Sequence, residues 1–315
     1  DGTAMRIFTG AAVPVGADAV IMQEQVTRDG EYITGTHPVT PGQNVRRRGE
    51  DLDASTQALE RGYRLTSCAL ALACFLDRAT VTVAKSPRVV ILCTGTELRE
   101  PGSTARLGSI PESNSPVVEA LARQAAATVV GASIVVDDAR ELQNAVERAL
   151  GASDVLVTIG GVSVGDYDYV RPALISAGVS LELHQVRIKP GKPITLGHRQ
   201  EKIVVGLPGN PVSAAITFAL FGVPLLRAMQ GDNRPSPLPT PVPVVGSLKR
   251  DPNKTRVLLG NLTGSERGVE FVAHPNQSSG ATVALGQCEG FVIVEPGTEP
   301  VAPGACLPFQ RWTDL

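Results

Sequence analysis

A chain of 315 residues, 43% hydrophobic and 19% charged, predicts a folded protein with a large core, and its length predicts two to four domains. A formal net charge of −2 excludes a global field that would favour nucleic acid or an anionic membrane, so any anion site must be local. Five cysteines without a Cys-x-x-Cys spacing and four scattered histidines predict reduced, buried thiols in a cytoplasmic protein and no zinc site.

The chain starts at Asp1, without a methionine and inside a stretch that reads as structured, as a fragment would. Residues 1–62 read as a small β domain of short strands and turns, with a hairpin signal at Asp29-Gly30. In residues 63–86 the apolar stretch TSCALALACFLDRA reads as a short helix capped by Thr66 or Ser67.

From 87 to 231 the pattern changes to strand, loop and helix in repetition. The strands are RVVILC, SIVV, VLVTI and KIVVGL. The first helix, in SNSPVVEALARQAA, takes Ser115 as N-cap and Pro116 as first residue. The second, in DDARELQNAVERAL, opens on Asp138 with Glu141 three residues on, an acidic capping box. The third runs from about Asp168 to Ala177. The fourth, in PGNPVSAAITFALF, has Asn210 as cap and Pro211 as first residue. This predicts a mostly parallel sheet with helices on both faces. The apolar run Ala214 to Met229 contains Pro224 and Arg227 and reads as a core helix rather than a membrane span; no signal peptide is legible. RPSPLPTPVPV reads as a linker, and residues 232–315 hold short strands (TRVLLG, VEFVAH, GFVIVEP) of a small barrel or sandwich. The fold class is multidomain α/β plus β.

In an open parallel sheet, ligands bind outside the carboxyl ends of the strands. Three loops leave strands there: CTGTEL, IGGVSVGDYDY and GLPGNPVSA. Their glycines let a backbone approach a ligand, and a helix start offers free N–H groups to a phosphate, with Ser213 as an extra donor. The alternative is ordinary glycine-rich turns before capped helices. Glu97, Asp137 or Asp138, Asp166 and Asp168 follow the same strand ends. Carboxylates beside a phosphate site would repel the substrate unless a cation lies between, and Mg²⁺ is the usual one. Helix capping is the alternative for Asp137 and Asp138, and a favourable first-turn charge for Asp168. IKPGKP sets Lys189 and Lys192 on a proline-stiffened turn beside one anion, or on a solvated turn. Arg46, Arg47 and Arg48, next to Glu50 and Asp51, read as a charged surface loop.

RIFTGAAVPVGADAVIMQE, GQNVRRRGEDL, CTGTEL, SNSPVVEAL, TIGGVSVGDYDYV, IKPGKP and GLPGNPVSA stand in this order. Together they resemble the molybdopterin molybdenumtransferase (molybdenum insertase) family and its gephyrin-type relatives. The resemblance covers nearly the whole chain. It implies a transferase of molybdenum cofactor biosynthesis that takes adenylylated molybdopterin and molybdate and releases AMP with Mg²⁺ assisting. It also implies a cytoplasmic homodimer, with the molybdopterin adenylyltransferase as a further partner and no nucleic acid or membrane. The implied domains are 1–62, inserted and lacking its N-terminal part; 63–86, the returning segment of an extended dimerisation domain; 87–231, the α/β molybdopterin-binding catalytic domain; and 232–315, a C-terminal β domain.

The resemblance implies Thr9, Asp51, Glu97, Asp137, Asp168, Lys189 and Lys192 as catalytic residues, with Glu97, Asp137 and Asp168 on the metal. It implies Gly160, Gly161, Ser163, Gly165, Pro208, Gly209, Asn210 and Ser213 at the substrate, the glycine turn on the pterin phosphate side. Asp166 ranks below Asp168. The family's N-terminal segment lies before residue 1, Glu112 stands where relatives often have aspartate, and Gln185 where some have a basic residue. The α/β region also resembles molybdopterin adenylyltransferases, and a gephyrin-like scaffold without turnover is a third reading.

Overall fold

The computed structural model of the chain describes residues 2–161, 169–266 and 268–315. The chain divides into two compact units, Asp1–Glu60 with Ser67–Leu76, and Arg61–Thr66 with Asp77–Leu315.

The first unit has little regular structure. Strands β1 (Val26–Asp29) and β2 (Tyr32–Gly35) form the hairpin that Asp29-Gly30 signals, with Asp29 opposite Tyr32. Gly30 takes the first loop position at φ +59°, a backbone conformation that any Cβ would strain. Helix α1 (Ser67–Phe75) is apolar all round, and only Ala69 and Ala73 of it are buried. Cys68 and Cys74 are exposed there, as is Cys306, so three of the five thiols are not buried as expected.

The second unit is built on a twisted sheet. In chain order its elements are β3 (Arg88–Thr94), β4 (Leu98–Arg99), β5 (Ile110–Pro111), α2 (Asn114–Gln124), β6 (Thr128–Val135), α3 (Ala139–Ala152), β7 (Val155–Ile159), α4 (Val170–Ser176), β8 (Ser180–Leu183), β9 (Ile188–Lys189), β10 (Thr195–Arg199) and β11 (Lys202–Leu207). Among the described residues the strand order is β6-β3-β7-β11-β10-β8. The first four run parallel, and β10 and β8 add an antiparallel edge. Alternation along the strands separates the two faces. Val89, Ile91, Cys93, Val155, Val157 and Ile159 pack one way, with Val118 and Leu121 of α2, while Leu92, Leu156 and Val204 pack the other way, with Leu142 of α3 and Leu174 of α4. Both faces are covered, which is why these strands read as continuous apolar runs.

The chain leaves β3 toward β6 on one side and, after α3, returns past β3 to β7 on the other. The carboxyl ends of β3 and β7 therefore flank a topological switch point.

After β11 one helical stretch runs from Pro211 to Met229: α5 (Pro211–Thr217), a π turn (Phe218–Gly222) and α6 (Val223–Met229). Pro224 has no N–H to give, and the turn before it widens so that Val223 N–H reaches Phe218 O, five residues back. This stretch is long and apolar enough to cross a membrane, with mean hydropathy 1.7, yet it is 67% buried inside the protein.

The remainder forms β12 (Thr240–Pro243), β13 (Thr255–Ser265), β14 (Gly268–Ala273), α7 (Thr282–Gln287), β15 (Gly290–Val294) and β16 (Cys306–Arg311), in the order β12-β16-β15-β13-β14. Val244 bridges to Phe271 and Val245 N–H donates to Phe271 O at 2.9 Å, so the two outer strands approach and the sheet curls toward a barrel around Phe271, Val292 and Phe309. The proline run expected to be a pure linker ends as strand β12. Its prolines are tolerated because β12 lies on the sheet edge and pairs on one side only, with β16. β9 pairs in parallel with β13, tying Ile188 and Lys189 to this subdomain.

Candidate active site

A pocket of about 450 Å³ opens at the switch point. Its walls come from Cys93, Thr94, Gly95, Glu97 and Leu98 at and beyond the end of β3, Asp137 after β6, Ile159, Gly160 and Gly161 at the end of β7, and Pro208 to Pro211 after β11, with Ile110, Pro111, Ser113, Asn114 and Pro193 around them. The sheet thus gathers Glu97, Asp137, Gly160, Gly161, Pro208, Gly209 and Asn210 of the sequence-derived set.

Each wall has a local reason. Thr96 N–H donates to Asp137 Oδ2 at 3.0 Å, joining the loops after β3 and β6. A Cβ on Gly95 would lie 2.7 Å from both Glu97 carboxylate oxygens, so the carboxylate folds back over a residue with no side chain. Gly160 has φ +89° and a Cβ there would lie 2.8 Å from Thr94 O; at Gly161, φ +62°, a Cβ would meet Val170 Cγ2 at 2.4 Å. Both positions demand glycine on two counts. Gly209 is under neither constraint: its φ is ordinary for any residue, and a Cβ would meet only Gly160 Cα, at 3.6 Å. Its glycine keeps side-chain bulk out of the pocket mouth rather than relieving strain.

The helix starts also differ from the sequence reading. Asp138 caps α3 through Arg140 N–H at 2.9 Å and Glu141 N–H at 3.0 Å. Glu141 does not close the box, because Asp138 N–H already donates to Val136 O at 2.7 Å. Helix α2 begins at Asn114, two residues before Pro116, and Ser115 is inside it. The cap is Glu112, 5% exposed, whose carboxylate accepts from the N–H groups of Asn114 and Ser115 and from Ser115 Oγ. Pro116 then sits third in the helix, where a missing N–H still costs nothing. Burial and the neighbouring Glu112 carboxylate push the Cys93 thiol well up, so it is no nucleophile at neutral pH.

Other expected residues lie elsewhere. Ser213 is buried within α5 and does not line the pocket. Lys189 and Lys192 are exposed and also lie outside its lining; the segment reaches the pocket through Pro193, because β9 is drawn to β13 and Gly191 is pressed against Thr217. Ser163, Gly165, Asp166 and Asp168 lie outside the described residues. Among the described residues no three acidic, cysteine or histidine side chains cluster as a metal site. Thr9 and Asp51 belong to the first unit. There Asp51 lines a second hollow of about 610 Å³ with Arg46, Arg47, Arg48 and Phe75, and Arg46 stands 3.8 Å from its carboxylate; Thr9 is exposed and does not line it. The arginine loop is therefore a concave wall, more than the bland surface loop its spacing suggested.

Asn114 is a wall residue that sequence reasoning missed. Its Nδ2 donates to Gly209 O at 2.7 Å, and the only signal was its place in SNS beside a helix start. Asn210, expected as a side-chain cap, makes no such bond; its Nδ2 donates to Ser279 Oγ at 3.2 Å. Val212 N–H donates to Ser279 O at 3.0 Å, so a loop of the C-terminal subdomain buttresses the start of α5.

Three family models match consecutive parts of the chain: the MoeA N-terminal region (domain I and II) over residues 1–76, a probable molybdopterin binding domain over 90–228, and the MoeA C-terminal region (domain IV) over 242–312. The chain is 39% identical over 234 residues to the molybdopterin molybdenumtransferase of Haemophilus influenzae, covering 74% of this chain and 57% of that protein. It is 36% identical over 271 residues to molybdopterin molybdenumtransferase 2 of Mycobacterium tuberculosis, covering 84% and 63%. With the molybdopterin molybdenumtransferase of a Nostoc species it shares 32% identity over 308 residues, 96% of this chain and 71% of the relative. The crystal structure of the molybdopterin biosynthesis moeA protein from Pyrococcus horikoshii OT3 superposes with a TM-score of 0.80 at 26% identity, over 97% of this chain and 74% of that one. The chain thus spans less than two thirds of the length of the Haemophilus and Mycobacterium proteins.

Proposed function

Because the chain belongs to the molybdopterin molybdenumtransferase family, we propose that it inserts molybdate into adenylylated molybdopterin with release of AMP. The observation that carries this reading is the pocket itself, where two carboxylates, Glu97 and Asp137, share a wall with the side-chain-free backbone of Gly160, Gly161 and Gly209. Bare backbone suits a phosphate ester, whereas carboxylates repel one unless a cation stands between them.

Mg²⁺ fits this donor set. It takes hard oxygen ligands and ordinarily binds one or two carboxylates together with phosphate oxygens and water. Glu97 and Asp137 would hold it, with Asp168, outside the described residues, as the third candidate. Bound there, Mg²⁺ would supply positive charge to balance the phosphate oxygens.

The protein's own groups do the positioning. Thr96 N–H holds the Asp137 carboxylate, and the glycines admit the substrate's phosphate end close to the main chain. Ser163 and Gly165, outside the described residues, are assigned to the same end of the substrate, and Pro208 and Asn210 line the pocket with the glycines. Lys189 and Lys192, exposed beside the wall residue Pro193, pair with anionic oxygens of molybdate or of the pterin. Thr9 and Asp51 act from the small N-terminal domain, across a homodimer. The same reading assigns residues 63–86 to the returning part of a dimerisation domain and 87–231 to the catalytic domain. It makes the molybdopterin adenylyltransferase a supplier of substrate and sets the protein in the cytoplasm, which its five free thiols support.

AMP release from adenylylated molybdopterin, followed with and without molybdate and Mg²⁺, tests the reading. Release that depends on both is expected. Consumption of ATP with unmodified molybdopterin would make the chain an adenylyltransferase, and no turnover in either assay would leave a scaffold.

A further inference from the structure

Glu112 does not line the pocket, yet it acts on two residues that do, Asn114 and Cys93. Its N–H donates to Arg99 O at 2.9 Å, which ties it to β4. Its side chain is buried, with Oε1 accepting from Asn114 N–H at 2.5 Å and Ser115 N–H at 2.9 Å, and Oε2 from Ser115 Oγ. On its other side stands the thiol of Cys93, a wall residue. Placing a carboxylate out of water is costly unless its oxygens are met by donors, and here they are met by the start of an 11-residue helix.

The consequence runs through Asn114, the first residue of that helix. Its Nδ2 donates to Gly209 O at 2.7 Å, across 95 residues of sequence. The reversed amide would set Oδ1 against that carbonyl oxygen, so the orientation follows from the partner. The Gly209–Asn210 peptide is planar, and its C=O and N–H point in opposite directions. Holding the carbonyl therefore fixes the Asn210 N–H, in a stretch of backbone that lines the pocket.

We propose that Glu112 is a positioning residue of the pocket: by capping α2 it holds Asn114, and through Asn114 it sets the peptide plane of Gly209. The proposal rests on the reading of this pocket as the site for adenylylated molybdopterin. A simple helix cap would stabilise the fold without reaching the Gly209 loop; the Asn114 contact is what distinguishes the two.

The test is a double-mutant cycle of Glu112→Gln and Asn114→Ala on the full chain. It is read by titration of adenylylated molybdopterin and, without ligand, by hydrogen exchange of the Asn210 amide. Each single variant should weaken binding about three- to tenfold, the range for one lost hydrogen bond. The double variant should be no weaker than the weaker single, because both act through one contact. Exchange at Asn210 should quicken equally in all three. Losses that multiply, or a Glu112→Gln protein that melts earlier while binding and Asn210 exchange are unchanged, would reduce Glu112 to a cap and overturn the proposal. Asn114→Ala leaves the cap intact and covers the case in which Glu112→Gln does not fold. If the unaltered chain fails to bind adenylylated molybdopterin, the functional reading falls, and the exchange comparison alone decides the role of Glu112.

Discussion

Asp154 stands at the amino-terminal edge of the sheet, at the opposite strand ends from the pocket, and joins three strands. Its carboxylate accepts from Arg88 N–H at 2.9 Å, Arg88 Nη2 at 3.1 Å and Lys202 Nζ at 3.5 Å, while its own carbonyl accepts from Ile203 N–H at 3.0 Å. The hydrogen bonds from Arg88 hold its carboxyl down to about 2, from an ordinary 3.8, against the opposing effect of burial. Converted directly, that difference is about 2.4 kcal/mol. The side chain keeps 28% exposure and Arg88 40%, so solvent screening lowers the expected contribution to about 1–2 kcal/mol. The sign follows from the depressed value. The folded state binds this proton less readily than the unfolded one, so the stabilisation is complete above about pH 4 and is lost as pH falls through about 2. Asp154→Asn should therefore lose about 1–2 kcal/mol in urea unfolding at pH 7, and the difference from the parent should shrink steadily below pH 4. AMP release at pH 7 should be unchanged, since the residue is remote from the pocket. A variant whose deficit is as large at pH 2.5 as at pH 7 would refute the electrostatic account.

Gly160→Ala should destabilise the protein by about 1–3 kcal/mol, because it combines a positive φ with a Cβ placed against a backbone oxygen, whereas Gly209→Ala should melt like the parent; equal melting curves would contradict the geometry of the two loops. Asp137→Asn keeps an oxygen for Thr96 N–H but removes the charge, so folding should stay within about 0.5 kcal/mol while AMP release falls at least about tenfold and recovers in part at raised Mg²⁺. An unchanged Mg²⁺ dependence would remove Asp137 from the metal. Lys189→Ala and Lys192→Ala should leave melting unaffected and raise the concentration needed of either molybdate or the pterin by about tenfold or more, with arginine rescuing only partly; if neither dependence moves, the segment is a solvated turn.

The elements themselves were readable along the chain because their causes are local. Apolar runs from Arg88, Val155 and Lys202 could only be covered strands, the Asp138 cap needed nothing beyond its own turn, and Asn210-Pro211 began a helix where the missing N–H is harmless. Asp29-Gly30 made its hairpin for the same reason. Part of the pocket lining was legible too, since Glu97, Asp137, Gly160, Gly161, Pro208, Gly209 and Asn210 all follow strand ends, where an open parallel sheet gathers its loops. Tertiary structure decided what distant groups do to each other. Asn114 Nδ2 reaches Gly209 O across 95 residues, a contact no window of sequence contains. Gly209 and Gly160 look alike in sequence, yet only Gly160 is pressed against Thr94. The lysines of IKPGKP lie outside the pocket lining because β9 is drawn to β13, and the last prolines of the linker became an edge strand because β16 was there to pair with. Dihedral preferences and caps act over one turn of chain, whereas strand order, burial and the approach of one loop to another depend on how the whole sheet packs, and that is where the pocket was made.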